Sequence, residues 1–242
     1  MATPPEPFGL GRLLGDESAF FARYQRVVDL SSGATVGQAA SLHARLRARE
    51  ISPGELFQAA RAAADIEALD RLGRTTAIRG ASGWLGKYLL LVRLVPEMVD
   101  RPAEALTGLS EVAAAAGLSM RQVAVEVLLS GDREAVTHLA RVITRCRGAG
   151  CRVVLTEGPL RPLADAVGVL LPDVVKLTRS AAAANHNPGE AQSAIRAGHA
   201  AGATVLAFGV ETASEADRLR ELGADWGQGY LYGRPRLPTD PG

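Results

Sequence analysis

Short apolar runs alternate with helical patterns along most of this chain. The runs are rich in Val, Leu and Ile and predict buried strands, and in most cases the next segment repeats apolar residues every three or four positions. The predicted strands lie at residues 20–30, 34–40, 88–95, 122–129, 151–155, 174–177, 204–208 and 226–230. The predicted helices lie at residues 53–70, 102–116, 133–147, 160–169, 189–200 and 214–222. A weaker helical pattern follows the first of them, to about residue 84.

This repetition is typical of parallel strands joined by right-handed helical crossovers. The first two strands differ, because residues 31–33 (Ser-Ser-Gly) are a turn signal that predicts a hairpin. The pattern alone fits both a closed barrel and an open, doubly wound sheet. In either fold the carboxyl ends of the strands meet at one rim, where we expect Glu126, Thr156, Glu157, Lys176, Phe208 and Gln228.

Composition narrows the class of protein. The chain has 242 residues, 47% of them apolar and 22% charged, which is ordinary for a globular domain. We predict a flexible N-terminal arm at residues 1–18, one barrel domain at 19–237 and a tail at 238–242. The net charge of +1 argues against a nucleic-acid partner or an anionic membrane surface. Since no signal pattern or membrane-length apolar run is present, the expected location is cytoplasmic.

The sequence offers no metal or cofactor motif. Cys146 and Cys151 are the only cysteines, too few for a zinc cage or a disulfide framework. The four histidines lie in separate parts of the sequence, without the spacing of metal ligands. A phosphate-binding glycine loop and a nucleophile elbow are both missing. We therefore expect no cofactor.

Six short segments, taken in order, carry a resemblance to a known family. They are residues 24–29 (YQRVVD), 36–40 (VGQAA), 125–127 (VEV), 172–176 (PDVVK), 209–212 (GVET) and 228–230 (QGY). Together they resemble the EAL-domain family, whose active members hydrolyse cyclic di-GMP with two divalent cations, usually magnesium or manganese. The resemblance implies an α/β fold, a modified (β/α)8 TIM barrel of EAL type with one antiparallel strand. It also implies carboxylate ligands for the two metals.

Several positions that the resemblance assigns to this chemistry carry other side chains. The glutamate of the Glu-Ala-Leu triplet falls on Gln38, and the arginine two residues beyond the triplet falls on Leu42. An asparagine ligand falls on Arg93, whose positive charge would repel a divalent ion. The remaining carboxylate positions fall on Thr156, Glu157, Thr178 and Phe208. We therefore expect no catalytic residue and no metal ligand.

What survives is a remnant binding site made of Gln25, Arg93, Glu126, Glu157, Lys176, Phe208, Glu211 and Gln228. We expect Lys176 to pair with Glu126 or Glu157, because a buried carboxylate without a partner is unfavourable. Arg93 would join the same network in place of the metal. Glu211 is expected to cap or brace the turn after Gly209. Residues 228–230 either hold a guanine, as the resemblance implies, or simply close the barrel.

Three functions follow from these substitutions. The first is a catalytically inactive regulatory domain that acts in signalling by binding another protein. The second is a cyclic di-GMP receptor that does not hydrolyse its ligand, with a base stacked on Phe208 or a phosphate paired with Arg93. The third and weakest is a residual phosphodiesterase. A homodimer through residues 159–171 is also expected, because their apolar content exceeds what one helix face needs; the alternative is burial inside the monomer.

Overall fold

Eight strands close into a barrel in the computed structural model, which describes residues 9–99, 101–129, 133–157, 166–179 and 188–238. The strands are β1 (Phe20–Asp29), β2 (Thr35–Leu46), β3 (Arg49–Ile51), β4 (Leu89–Arg93), β5 (Val123–Leu129), β6 (Arg152–Glu157), β7 (Val174–Leu177), β8 (Thr204–Phe208) and β9 (Trp226–Gln228). All but β3 belong to the ring, and β3 pairs with the far end of β2.

The first strand closes the ring in the antiparallel sense. β1 pairs antiparallel with both β2 and β9, whereas the pairs from β2 through β4 to β9 are parallel. The predicted (β/α)8 barrel with one antiparallel strand is therefore confirmed. Because seven strands run in one direction, their carboxyl ends share one rim.

Helices surround this barrel. They are α1 (Leu10–Leu14), α2 (Pro53–Ala63), α3 (Ile66–Gly80), α4 (Pro102–Ala105), α5 (Leu109–Ala115), α6 (Arg133–Gly148), α7 (Pro188–Ala200) and α8 (Ala213–Glu221), and residues 166–170 are also helical. The helix predicted at 53–70 is divided, because Ala64 adopts a left-handed conformation with φ 60°. The helix predicted at 102–116 is likewise divided by Gly108, with φ 71°.

The strand alternation produces two apolar layers. Side chains inside the barrel form one cluster that includes Val27, Leu91 and Leu206. The opposite faces of the same strands pack against the helices in a much larger cluster. The barrel interior is thus filled by side chains below the rim, and polar residues can collect only at its mouth.

Within the expected flexible arm at residues 1–18, the described part, from residue 9 onward, is ordered. Residues 10–14 form α1, and Leu10 and Leu13 are buried with Phe20, Leu42 and other apolar residues. Their burial removes apolar surface from water, which favours an ordered segment. No helix in the described part of the chain is long and apolar enough to cross a membrane.

The segment expected to mediate dimerisation is described only from residue 166 onward. There, Val167 and Leu170 are buried, which agrees with packing inside the monomer. Val169 and Leu171 are 70% and 49% exposed, and they present apolar surface to solvent. Residues 159–165 lie outside the described residues.

Candidate functional site

The carboxyl ends of the strands meet around a cavity of about 550 Å³ at the mouth of the barrel. Because inward-facing positions alternate along a strand, the strands present inward-facing side chains near this rim. The cavity is lined by remnant-site residues from six strands: Gln25, Arg93, Glu126, Lys176, Phe208 and Gln228. Of the side chains predicted to share one rim, Glu126, Lys176, Phe208 and Gln228 line this cavity together.

Glu126 is the centre of the polar network in the mouth. Its Oε2 accepts a hydrogen bond from Lys176 Nζ at 2.9 Å. Its Oε1 accepts from Arg93 Nη2 and from Thr156 Oγ1, both at 3.2 Å. The predicted pairing of Lys176 with Glu126, and the predicted participation of Arg93, are therefore confirmed.

The charge state of Glu126 follows from these partners. Burial of the carboxyl would raise its pKa, but the positive charges of Lys176 and Arg93 outweigh burial and lower the pKa to about 2. The side chains of Glu126 and Lys176 are only 8% and 5% exposed, whereas that of Arg93 is 66% exposed. The first pair is thus a buried ion pair, and Arg93 adds a solvent-facing charge at its edge.

Phe208 covers the other side of Lys176. The Lys176 ammonium lies 4.7 Å from the centre of the Phe208 ring, which places the charge over the negative face of the aromatic system. Phe208 is itself 37% exposed. A side chain that the sequence comparison places at a carboxylate position therefore shields a cation here.

A second polar pair, formed by Gln25 and Gln228, lies in the same wall of the cavity. Gln228 Nε2 donates to Gln25 Oε1 at 2.9 Å, and Gln25 Nε2 donates to the carbonyl oxygen of Gly233, also at 2.9 Å. The remaining acceptor, Gln228 Oε1, is buried and has no hydrogen-bond partner among the described residues. A buried acceptor without a donor is unfavourable.

The prediction that Gln38 occupies the triplet's glutamate position is wrong. Gln38 pairs with Leu90, whose side chain faces the helices, so Gln38 lies on the outer face of the barrel. The next residue, Ala39, pairs with Leu91, packs with the barrel interior and lines the cavity. The match to the Glu-Ala-Leu triplet is therefore shifted by one residue, and the methyl group of Ala39 stands at the position of the triplet's carboxylate.

The same shift moves the arginine position from Leu42 to His43. Leu42 is buried against α1 and α2 and lines the cavity as an apolar side chain. His43 Nε2 lies 3.1 Å from Ser41 Oγ, and its Nδ1 lies 2.9 Å from Glu50 Oε1. Neither residue supplies the guanidinium that the resemblance associates with phosphate binding.

One buried ion pair in the cavity wall was not predicted from the sequence. Asp70 and Arg74 form an ion pair one turn apart on α3, with side chains 1% and 4% exposed. Asp70 Oδ1 also accepts from the Val95 backbone N–H at 3.0 Å, which fixes α3 against the segment after β4. The i, i+4 spacing of opposite charges is the sequence signal for such a pair.

Another predicted residue, Glu211, does not line the mouth. Glu211 forms a bidentate ion pair with Arg179, while Thr212 provides the N-cap of α8. Glu211 therefore braces the turn after Gly209 and does not cap it. The side chain of Glu157 lies outside the described residues.

The donor set of the described mouth does not fit a pair of divalent cations. No group of three or more His, Cys, Asp or Glu side chains is close enough to hold a metal ion in the described part of the chain. The one carboxylate at the centre, Glu126, already accepts from an ammonium and a guanidinium. Hard cations need several oxygen ligands, and two nearby positive charges oppose their entry.

Comparison with known proteins places this geometry in a family. The EAL-domain family matches residues 12–235, which is most of the chain. The chain belongs to the EAL-domain family. The EAL relatives in solved structures include complexes with cyclic di-GMP and a phosphodiesterase.

Three relatives give the range of similarity. An uncharacterized protein of Azorhizobium caulinodans is 26% identical over 92% of this chain, which spans only 32% of that protein. The manganese and cyclic di-GMP complex of Klebsiella pneumoniae BlrP1 is 26% identical, with a TM-score of 0.77 over 91% of this chain and 56% of its own. A standalone versatile EAL protein from Vibrio cholerae O395, bound to cyclic di-GMP, is 17% identical, with a TM-score of 0.78 over 92% and 94% of the two chains.

Proposed function

We propose that this EAL domain does not hydrolyse cyclic di-GMP and that it acts as a regulatory domain in signalling by binding a partner protein. The observation that carries the proposal is that the Glu126 carboxylate forms ion pairs with both Lys176 and Arg93. In a hydrolytic two-metal site, carboxylates hold the cations that activate water and neutralise the phosphate. In this chain, protein cations take the place of those ions around the one central carboxylate.

The substitutions around Glu126 support the same conclusion. Activation of water by a metal needs open coordination positions and oxygen ligands. Ala39, Arg93 and Phe208 offer a methyl group, a cation and an aromatic ring at the mouth. Binding remains available to such a mouth because the cavity is still open, and the fold itself does not dictate the reaction.

A cyclic di-GMP receptor without hydrolysis is the second candidate. The observation that favours it is the size of the cavity, about 550 Å³, which lies in the range of small-molecule sites. The exposed face of Phe208 offers a stacking surface for a base, and Arg93 offers a charge for a phosphate. In this candidate the ligand binds without any metal ion.

Calorimetry separates the two candidates. Cyclic di-GMP is titrated into the protein with magnesium and, separately, with a chelator. The proposal predicts no heat of binding at up to about 100 μM ligand, a concentration that would detect complexes of moderate affinity. Heat at low micromolar affinity that persists in chelator would support the receptor. Heat that requires magnesium would contradict both candidates.

We also propose self-association through residues 159–171, of which the structure describes residues 166–171. Val169 and Leu171 are the exposed apolar side chains that support it. Sedimentation velocity of the protein and of Val169→Asp tests this proposal. A dimer that is lost in the variant is the expected result, and a monomer at all concentrations would contradict it.

A further inference from the structure

We propose that the barrel mouth takes an extended segment of a partner protein that inserts one carboxylate side chain next to an apolar side chain. This inference rests on the proposed function, since it names the chemistry of the partner at the same cavity. It follows from three properties of the cavity wall: its charge, its exposed apolar surface and its unpaired hydrogen-bond acceptor.

The described residues of the wall leave one positive charge uncompensated. Two of the lining arginines are already paired, Arg61 with Glu97 and Arg74 with Asp70. The other two lining cations, Arg93 and Lys176, share the single carboxylate of Glu126. A ligand that supplies one carboxylate would balance this net positive charge.

Arg93 is the cation that can reach such a carboxylate. Lys176 is enclosed between Glu126 and the Phe208 ring, whereas the Arg93 side chain is 66% exposed. Arg93 uses one nitrogen atom, Nη2, to contact Glu126. A guanidinium carries five N–H donors, so it can hold a second carboxylate at the same time.

Exposed apolar side chains flank this charge. Leu128 and Phe208 are both 37% exposed, and both line the cavity. Large apolar side chains exposed in a concave wall gain free energy when a partner covers them. The ligand should therefore carry an apolar group beside its carboxylate.

The third property of the wall is the hydrogen-bond acceptor Gln228 Oε1, which an N–H donor of a ligand could satisfy. Gln228 Oε1 is buried in the wall and has no hydrogen-bond partner among the described residues, and the amide nitrogen of the same side chain donates to Gln25. A backbone or side-chain amide of the ligand would satisfy this oxygen. A peptide supplies an N–H donor, a carboxylate and an apolar side chain within a few residues.

The charges of the described lining residues also argue against a cyclic dinucleotide as the preferred ligand. Cyclic di-GMP carries two phosphate charges, whereas the described lining residues leave one positive charge uncompensated. In the corrected register, Leu42 and His43 provide no second guanidinium. A ligand with one negative charge matches the wall better.

Two blocked peptides test the inference directly. The probes are acetyl-Leu-Glu-Leu-amide and its neutral analogue acetyl-Leu-Gln-Leu-amide, titrated at millimolar concentrations and followed by amide chemical shifts. We expect the acidic peptide to bind about tenfold more tightly than the neutral one. Arg93→Gln should abolish this preference. Arg79→Gln should keep it, since Arg79 is similarly exposed (62%) but does not line the mouth.

The outcomes distinguish this inference from the proposed function. Equal affinity for the two peptides, or a preference that survives Arg93→Gln, would overturn the inference. Tight binding of cyclic di-GMP that displaces the acidic peptide would also overturn it, in favour of a nucleotide. The proposed absence of hydrolysis is measured separately by product formation, and it stands or falls independently of the peptide result.

Discussion

Lys176 Nζ lies 2.9 Å from Glu126 Oε2 at the floor of the barrel mouth, and both side chains are almost completely buried. The pair joins β5 to β7 across the intervening strand β6, whose Thr156 also donates to Glu126. A lysine and a carboxylate that the resemblance associates with cation and phosphate binding thus neutralise each other. The network organises the mouth without any ligand.

Removal of the carboxylate should destabilise the fold more than removal of the exposed arginine. Glu126→Gln leaves the Lys176 ammonium buried without a counter-charge, which costs about 3–5 kcal/mol. Arg93→Gln should cost less than about 1 kcal/mol, because a solvent-exposed ion pair contributes little. Urea unfolding measures both free energies.

The double variant isolates the pair itself. Glu126→Gln combined with Lys176→Met removes both charges, so its cost should be smaller than the sum of the two single costs by about 0.5–3 kcal/mol. Strictly additive costs would show that the two side chains do not interact in solution.

Stability should also depend on pH through Glu126. Its pKa is lowered from 4.5 to about 2, so the ionised carboxylate stabilises the fold fully above about pH 4.5. That contribution, about 3 kcal/mol from the size of the shift, is lost as the pH falls toward 2. The difference in unfolding free energy between the natural protein and Glu126→Gln should therefore shrink between pH 5 and pH 3. A difference that stays constant over this range would argue against the lowered pKa.

Gly229 should be needed to place Gln228. A Cβ atom at residue 229 would overlap the backbone nitrogen and oxygen of Val210. The N–H groups of Gly209 and Val210 donate to the Gln228 carbonyl oxygen at 2.7 and 3.1 Å, so the strain would reach the site. We expect Gly229→Ala to cost about 1–3 kcal/mol or more in unfolding free energy.

A matched glycine provides the control. Gly11 lies in α1, and a Cβ there would meet no atom within 4 Å. Gly11→Ala should be neutral or slightly stabilising, because alanine loses less conformational entropy in a helix. Equal destabilisation by the two alanines would contradict the proposed role of Gly229.

The barrel was largely predictable because its signals are local. The predicted strands at 174–177 and 204–208 have the observed bounds, and the others differ by one or two residues at an end, except that the second ends six residues later than predicted. The helix breaks at Ala64 and Gly108 were missed, because apolar periodicity continues across each break while the backbone turns. The sequence analysis predicted a flexible arm where α1 forms, because the burial of α1 depends on an apolar cluster with β1, β2 and α2, which are distant in the sequence.

Most residues of the site could be predicted from the sequence, but the residue of β2 that faces the cavity could not. The pairing of Lys176 with Glu126 could be inferred, because a buried carboxylate at a shared rim needs a partner. The register of β2 could not, because a shift of one residue exchanges Gln38 for Ala39 with little change in the sequence match. Only the pairing of β2 with β4 shows which of the two faces the cavity.

Product formation from cyclic di-GMP tests the central claim most directly. The protein is incubated with cyclic di-GMP and either manganese or magnesium at pH 7–9, and the linear dinucleotide is measured by chromatography against an active EAL phosphodiesterase. The account predicts no product above the rate of the protein-free control, because Lys176 and Arg93 occupy the carboxylate that a metal would need. Metal-dependent formation of the linear dinucleotide, lost in Glu126→Gln, would contradict it.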